Sequence, residues 1–326
     1  MLRGRLRGEH AAGLGLAAAG GARTARPRLS GAHDHARRDR GEQLHGPIHR
    51  PAPGCRRRRG PQPDARSSRR PGSAAAALDG SDTLYNTLWI RFERGPITYA
   101  WAIERTRILF EAARRAGVRR IVHISVINAS PQAPTAYFRA KAVVEEALVA
   151  TGLSHAIVRP TVSYGPGDIL VNNLAWTLRR LPVFGVPGDG RYPIQPVHVE
   201  DVAEVAVRAG GLTDDVTVDA GGPDVFAFDD FVALVRQAIG SRALIVHMPV
   251  AASLAAARLI GLVVRDVVLT RHEVTELQQR LMFSEQPPAG RIRLADWLAA
   301  NADTIGRTWS SELDRHFRRP LEEVDR

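Results

Sequence analysis

Residues 119–160 read RRIVHISVINASPQAPTAYFRAKAVVEEALVATGLSHAIVRP, and this stretch decides the fold. It begins with an apolar run at 121–126, continues through a helical pattern at about 135–150, and ends with a second apolar run at 155–160. Two apolar runs long enough for buried strands, joined by a helix, predict a right-handed crossover between neighbouring parallel strands. Pro160 would close the second strand because it has no N–H to donate.

The same alternation of strands and helices extends to both sides of this unit. We expect a short strand at 83–86, a helix at 102–116 that stops at Gly117, a helix near 172–180, and a segment at 197–202 leading into another helix. From residue 226 onward the chain is expected to be mostly helical. The pattern therefore predicts an α/β protein with a parallel sheet that is covered on both faces.

The charge of the chain is concentrated at one end. The whole chain carries +11, but residues 1–76 hold 17 Arg against 5 acidic residues, which is +12. Residues 77–326 hold 28 Lys and Arg against 29 Asp and Glu, which is −1. One cysteine, Cys55, excludes a disulfide scaffold and a metal site built from cysteines, and the histidines show no metal-ligand spacing. We expect no membrane span and a cytoplasmic protein.

Three residues, Ser125, Tyr137 and Lys141, favour acid–base chemistry. Lys141 is the only lysine of the chain, and it follows Tyr137 by four residues in YFRAK, which places both side chains on one helix face. A nearby cation lowers the pKa of a tyrosine towards neutrality. Ser125 lies at the end of the first strand, where its hydroxyl can hold a carbonyl or alcohol oxygen. The alternative is that Tyr137 packs and Lys141 is a solvated charge.

Four motifs, in order, carry a family resemblance: AARRAGVRRIVHIS, YFRAK, VRPTVSYGPGD and GDGRYPIQPVHVEDVAEVAV. Over about residues 77–315 the chain resembles the extended and atypical short-chain dehydrogenase/reductases of the NAD-dependent epimerase/dehydratase kind. The tail, with DVVLTRHEVTEL, looks most like the branch of complex I accessory-subunit-like, NAD(P)H-binding proteins. The resemblance implies a Rossmann-like parallel sheet with a smaller, mostly helical C-terminal substrate domain, and NAD or NADP as the cofactor.

The resemblance also implies roles for individual residues. Tyr137 would be the catalytic acid/base, and Lys141 would bind the nicotinamide ribose and lower the tyrosine pKa. The cofactor would further contact Ser125, and the remaining cofactor-binding residues would be Asn86, Thr87, Arg159, Pro160 and Thr161. The family often has two hydroxyl residues at the position of Ser125, whereas here Val126 follows it. We expect His198 and Asp201 to fix the start of a helix, with Asp201 as its cap.

The domain organisation has one irregularity, which is the head at residues 1–76. A dinucleotide fold needs a first strand and a glycine turn, and the head supplies neither. Shifting the codons of residues 33–55 by one base allows the reading MITLVVTGASSYTGRYIARRLVA, which is a strand, a glycine turn and a helix start. We interpret the head as an out-of-frame reading of this lost segment, or else as a disordered basic extension. Residues 77–165 would be the rest of the cofactor domain and 166–326 the substrate region, with 194–220 returning to the sheet.

Three functions remain as alternatives. The first is an NAD(P)-dependent oxidoreductase or epimerase that acts on a small carbonyl or alcohol substrate. The second is a non-catalytic NAD(P)H-binding or assembly protein, which the apolar Val126 favours. The third, a nucleic-acid binder acting through the basic head, predicts strongly salt-dependent DNA binding that is lost without residues 1–76. We expect no nucleic-acid partner, because the head has no Phe, Tyr or Trp. An oligomer is compatible with all three.

Overall fold

A computed structural model describes residues 77–317. The head at 1–76, with its predicted disorder or out-of-frame origin, lies outside the described residues. The described helices, in chain order, are α1 (Tyr99–Arg115), α2 (Ala136–Val149), α3 (Leu170–Arg180), α4 (Val199–Gly210), α5 (Phe228–Ala238), α6 (Val250–Val264), α7 (Arg271–Gln278), α8 (Leu294–Asn301) and α9 (Glu312–His316).

The described strands are short. They are β1 (Thr83–Asn86), β2 (Arg120–Ile124), β3 (Ser154–Pro160), β4 (Val162–Tyr164), β5 (Val183–Pro187), β6 (Pro193–Ile194), β7 (Pro196–His198), β8 (Val216–Ala220), β9 (Phe226–Ala227) and β10 (Leu244–Met248).

The main sheet has four parallel strands in the order β1-β2-β3-β8. Thr83 pairs with Arg120, and Ile121 pairs with His155, so the strands start level with one another. The predicted parallel sheet is therefore confirmed, with strand ends that differ from the predicted ones by one or two residues. Gly117 follows α1 with a φ of +72°, a conformation that favours glycine and ends the helix as predicted.

Helices cover both faces of the sheet because successive strand residues point to opposite sides. Ile121 and Ile157 pack with Phe110 of α1 and Leu148 of α2. The neighbouring residue Val122 faces the other way and packs against α4. The apolar runs thus lack a polar face because both of their sides are buried.

A separate core lies in the C-terminal half of the described chain. It is built by α3, α5 and α8 around Phe231, Leu178 and Leu298, each less than 3% exposed. Beside it, β5 and β10 form a parallel pair. The region after residue 226 is mostly helical, as predicted, although β9 and β10 interrupt the helices. Among residues 77–317, no helix has the length and apolar character required to cross a bilayer.

The start of α4 corrects one prediction. The helix is capped by His198, whose Nδ1 accepts a hydrogen bond from the Glu200 backbone N–H at 3.3 Å. Asp201, which we predicted as the cap, lies within the first turn. Its Oδ2 accepts hydrogen bonds from the backbone N–H groups of Arg291 and Ile292, both at 2.9 Å. Asp201 therefore fastens a distant loop to α4, because its buried carboxylate meets two free amides there.

Candidate functional site at the carboxyl edge of the sheet

The predicted site residues lie along one edge of the sheet. Asn86 ends β1, Ser125 directly follows β2, and Pro160 ends β3. The parallel register brings these strand ends side by side, since Asn86 pairs with His123 and Ile124 pairs with Val158. The carboxyl edge is where open α/β sheets bind their ligands. The structure thus groups residues that are far apart in the sequence.

Lys141 points from α2 onto the end of β2. Its Nζ donates a hydrogen bond to the Ile124 carbonyl oxygen at 2.9 Å and lies 4.4 Å from the centroid of the Trp89 ring. The residue is 2% exposed. Burial lowers the pKa of Lys141 to about 7, although the charge of Glu145 acts in the opposite direction. The amine is therefore close to its titration midpoint at neutral pH.

Tyr137 lies one helical turn before Lys141, within a group of aromatic rings. Trp89 and Tyr99 contact it edge-on, with ring centroids 5.9 Å and 6.2 Å away. The pKa of Tyr137 is raised above its usual value, first by burial and then by the negative charge of Glu276. This direction is opposite to the lowering that the family resemblance implied. In this arrangement the phenol is protonated at neutral pH, and its O–H can donate a hydrogen bond.

Ser125 has a buried hydroxyl that contacts no hydrogen-bonding partner among the described residues. The residue is 4% exposed, and its backbone N–H donates to the Val158 carbonyl oxygen at 2.7 Å. Val126, which follows it, is also buried. One hydroxyl and one apolar side chain therefore stand where the family often has two hydroxyls.

Asn86 and His123 form a buried pair beside Lys141. The Asn86 Oδ1 accepts the backbone N–H of Leu88 at 3.1 Å, which orients the amide so that Nδ2 donates to His123 Nδ1 at 2.9 Å. This assignment places the imidazole proton on Nε2, which has no partner among the described residues. Burial, reinforced by the charge of Lys141, holds the pKa of His123 below its usual value. His123 is therefore a neutral donor that the sequence did not predict.

The other predicted cofactor-binding residues are mostly engaged by the protein itself. Arg159 forms a two-pronged ion pair with Glu145 of α2. Thr161 donates its hydroxyl proton to the Gln195 carbonyl oxygen at 2.5 Å. Thr87 is exposed, and the Pro160 carbonyl oxygen accepts the Ile127 N–H at 3.0 Å. These residues lie at the predicted edge of the sheet. The side chains of Arg159 and Thr161 bind other residues of the protein there and so stabilise the fold.

Sequence reasoning missed one acidic residue of the site, Glu276 of α7. Its Oε1 accepts a hydrogen bond from the Thr135 hydroxyl at 2.7 Å, and the residue is 5% exposed. Burial raises the pKa of Glu276 to about 7 despite that hydrogen bond. The sequence Thr-Arg-His-Glu at 270–273 does signal the capping box that starts α7, but it does not show that α7 packs beside α2.

The free polar atoms at this edge suit the nicotinamide end of a dinucleotide. Ser125 Oγ, His123 Nε2 and Trp89 Nε1 are buried without a partner among the described residues, and each can donate a hydrogen bond. Ribose hydroxyls and a carboxamide oxygen supply acceptors for such donors. Buried donors without acceptors carry a free-energy cost that a bound ligand removes. The residues present therefore fit this part of the cofactor.

Comparison with known families identifies the type of domain to which this edge of the sheet belongs. Residues 65–214 match a family model described as NAD(P)H-binding. The chain carries an NAD(P)H-binding domain. The match confirms the resemblance drawn from YFRAK and its neighbouring motifs, together with the expected cofactor class. The NAD(P)H-binding match begins at residue 65, within the head that composition marked off at residue 76.

Curated relatives of the chain are named as subunits of NADH dehydrogenase. The mitochondrial NADH dehydrogenase [ubiquinone] 1 alpha subcomplex subunit 9 of Arabidopsis thaliana is 30% identical over 159 residues, which is 47% of this chain and 39% of the relative. The subunit of the same name from Mus musculus is 33% identical over 103 residues, 32% of this chain and 27% of the relative. The chain thus matches less than half the length of these relatives.

Solved structures with the same fold are more distant in sequence. The triphenylmethane reductase of Citrobacter sp. has a TM-score of 0.58 at 16% identity, covering 72% of this chain and 80% of the reductase. An NADPH-dependent quinone oxidoreductase from Escherichia coli, complexed with NADPH, has a TM-score of 0.56 at 17% identity, covering 71% and 80%. At these identities the likeness shows the Rossmann-like fold, as predicted, and no more.

Proposed function

We propose that this protein binds a nicotinamide dinucleotide at the carboxyl edge of its sheet and that its role is binding without turnover through Tyr137. The observation that carries the binding is the pair of buried, unpartnered donors on Ser125 and His123. Ser125 and His123 would receive the nicotinamide end, and Lys141 would contact the ribose once Trp89 moves aside. The family description supports the cofactor class.

The electrostatics of Tyr137 and Lys141 favour binding over catalysis. An acid/base tyrosine of this type requires a cation that stabilises its phenolate. Here the Tyr137 pKa is raised, while the Lys141 pKa is lowered to about 7 and its amine is covered by an indole ring. Val126 adds an apolar side chain beside Ser125. The relatives are named as subunits of a larger enzyme, which supports a role in an assembly.

A second candidate is an oxidoreductase that acts on a small carbonyl or alcohol substrate. The bound nicotinamide would supply the hydride, as it does in other enzymes. Within this chain, the protonated Tyr137 would donate its hydroxyl proton to the substrate oxygen, and the free Ser125 hydroxyl would hold that oxygen in place. The unpartnered Ser125 hydroxyl is the observation that favours this candidate.

Titration of the full chain with NADPH and NADH, followed by nucleotide fluorescence, tests the binding. We expect weak affinity, because residues 1–76 as written contain no glycine turn for the pyrophosphate. Replacing residues 33–55 by MITLVVTGASSYTGRYIARRLVA should tighten binding by about tenfold or more, since a helix N-terminus then faces the pyrophosphate. A scrambled segment of the same composition is the control.

The outcomes distinguish cofactor binding at the sheet edge from our interpretation of the head. Lys141→Met in the restored chain should weaken binding, whereas Arg114→Met, which removes an exposed cation, should not. If the original chain bound NADPH as tightly as the restored chain, this result would contradict our interpretation of the head. Absence of binding by the restored chain would contradict the proposed function itself.

Tyr137→Phe distinguishes binding from catalysis. We expect NADPH oxidation in the presence of small aldehydes, ketones and quinones to be the same for Tyr137→Phe and the parent chain. A general acid contributes about a hundredfold or more to a rate. A loss of that size in the Tyr137→Phe variant, with unchanged NADPH affinity, would favour the oxidoreductase.

A further inference from the structure

Helix α6 (Val250–Val264) exposes an apolar surface to solvent. Of its fifteen residues only Ser253 and Ala257 are buried. Leu259, Leu262 and Val263 are 66%, 76% and 79% exposed, and they are neighbours on one side of the last two turns. Contiguous exposed apolar side chains on a helix mark an interaction surface.

The charge along α6 has one sign. Arg258 lies one turn before Leu262, and Arg265 lies three residues after it, so the two arginines flank the leucine. No acidic residue occurs from 250 to 265. The next one, Asp266, is 8% exposed and accepts hydrogen bonds from the Trp309 indole and the Glu312 backbone N–H. The surface is therefore apolar with a positive border.

We propose that the α6 surface, Leu259, Leu262 and Val263 with Arg258 and Arg265, docks this protein onto an anionic lipid bilayer. Leucine and valine side chains enter the acyl boundary while arginines contact the phosphate groups. Fifteen residues of helix extend about 22 Å, which is short of the roughly 30 Å of a bilayer core. The helix therefore lies along the membrane surface and does not cross it.

Charge argues for a lipid surface over a second copy of the chain. A two-fold interface through this surface would be self-complementary and would bring its arginines near the same arginines of the other copy. Among the described residues neither Arg258 nor Arg265 has a carboxylate within 4.0 Å, so nothing on α6 would balance them. An anionic bilayer satisfies the arginines and covers the apolar side chains together.

The basic head complicates a simple binding assay, since its +12 charge would also attract anionic vesicles. A local probe avoids this difficulty. In a full-length Cys55→Ser chain, Val263→Cys receives an environment-sensitive dye, and Val207→Cys on α4 is the matched control because Val207 is 63% exposed. Both proteins are mixed with vesicles of phosphatidylcholine alone or of phosphatidylcholine with phosphatidylglycerol.

We expect a blue shift of the dye at 263, but not at 207, on the phosphatidylglycerol vesicles. Leu259→Gln with Leu262→Gln should reduce the partition coefficient of the 263-labelled chain by about tenfold or more, and circular dichroism checks that the variant is folded. Equal responses at both positions, or none at 263, would overturn the proposal. A concentration-dependent blue shift at 263 without vesicles would assign the surface to a second copy instead.

Discussion

The indole ring of Trp89 covers the amine of Lys141, with Nζ 4.4 Å from the ring centroid, and the same ring packs edge-on against Tyr137. Trp89 also stacks on Tyr99, with 6.0 Å between centroids. These contacts stabilise the covered arrangement, whereas the buried, unpartnered Trp89 N–H opposes it. Any ligand that reaches the Lys141 amine from this side must displace the ring, which lies in the loop between β1 and α1.

Removing the indole should raise the pKa of Lys141. In Trp89→Ala water reaches the amine, and the desolvation that lowers the pKa to about 7 is relieved. We expect an increase of about one unit or more. Because the chain has a single lysine, protein labelled with 13C-lysine gives one side-chain Cε signal to titrate by NMR. Trp101→Ala, which removes a ring next to Arg105, should leave the midpoint unchanged.

Lys141 should make stability depend on pH above neutrality. Its pKa is about 7 in the folded chain and about 10.4 when unfolded, so between these values the unfolded chain binds more protons. The free energy of unfolding should therefore rise with pH across this window, by a few kcal/mol, and remain low below pH 7. For Lys141→Met, the free energy of unfolding measured by urea denaturation should not rise across this pH window. Arg114→Met should retain the rise, and a rise of equal size in both variants would exclude Lys141 as its source.

Glu276 should have the opposite effect in the acidic range. Its pKa is raised to about 7, so the folded chain binds more protons between about pH 4.3 and 7. Stability from this group is present below that window and is lost as pH rises through it. Glu276→Gln keeps an acceptor for Thr135 without the charge, and should be more stable than the parent above pH 7 by on the order of 2 kcal/mol. Glu146→Gln, at an exposed position of α2, is the matched control, and an equal gain there would argue against burial as the cause.

Asp201 should be important for stability and not for helix capping. Asp201→Ala removes the acceptor of two part-buried backbone N–H groups, so we expect a loss of about 1–3 kcal/mol in the free energy of unfolding. Glu200→Ala alters the neighbouring exposed carboxylate and should change stability by less than about 0.5 kcal/mol. Thermal and urea unfolding measure both. A small effect at Asp201 would show that the loop at 291–292 is held by other contacts.

Local features of the chain were sufficient to predict the sheet and the residues at its edge. The run at 121–126 is apolar at four of its six positions, interrupted by His123 and Ser125, and Gly117 and Gly152 adopt positive φ after their helices. Such signals act over a few residues, so β2, α2 and β3 could be placed within one or two positions. Ser125 and Asn86 follow from the same reasoning, because parallel strands end at a common edge.

The environment of each site residue was decided only by the tertiary structure. Thr135 and Glu276 are 141 residues apart, and Asp201 meets amides 90 and 91 residues away. The four-residue spacing of Tyr137 and Lys141 predicted a shared helix face correctly, but their pKa values depend on which groups exclude water from them. Burial by Trp89, the charge of Glu276 and the tautomer of His123 arise from packing between distant segments. Hydrophobic periodicity encodes where an element forms, whereas desolvation and charge at the site are set by the assembled fold.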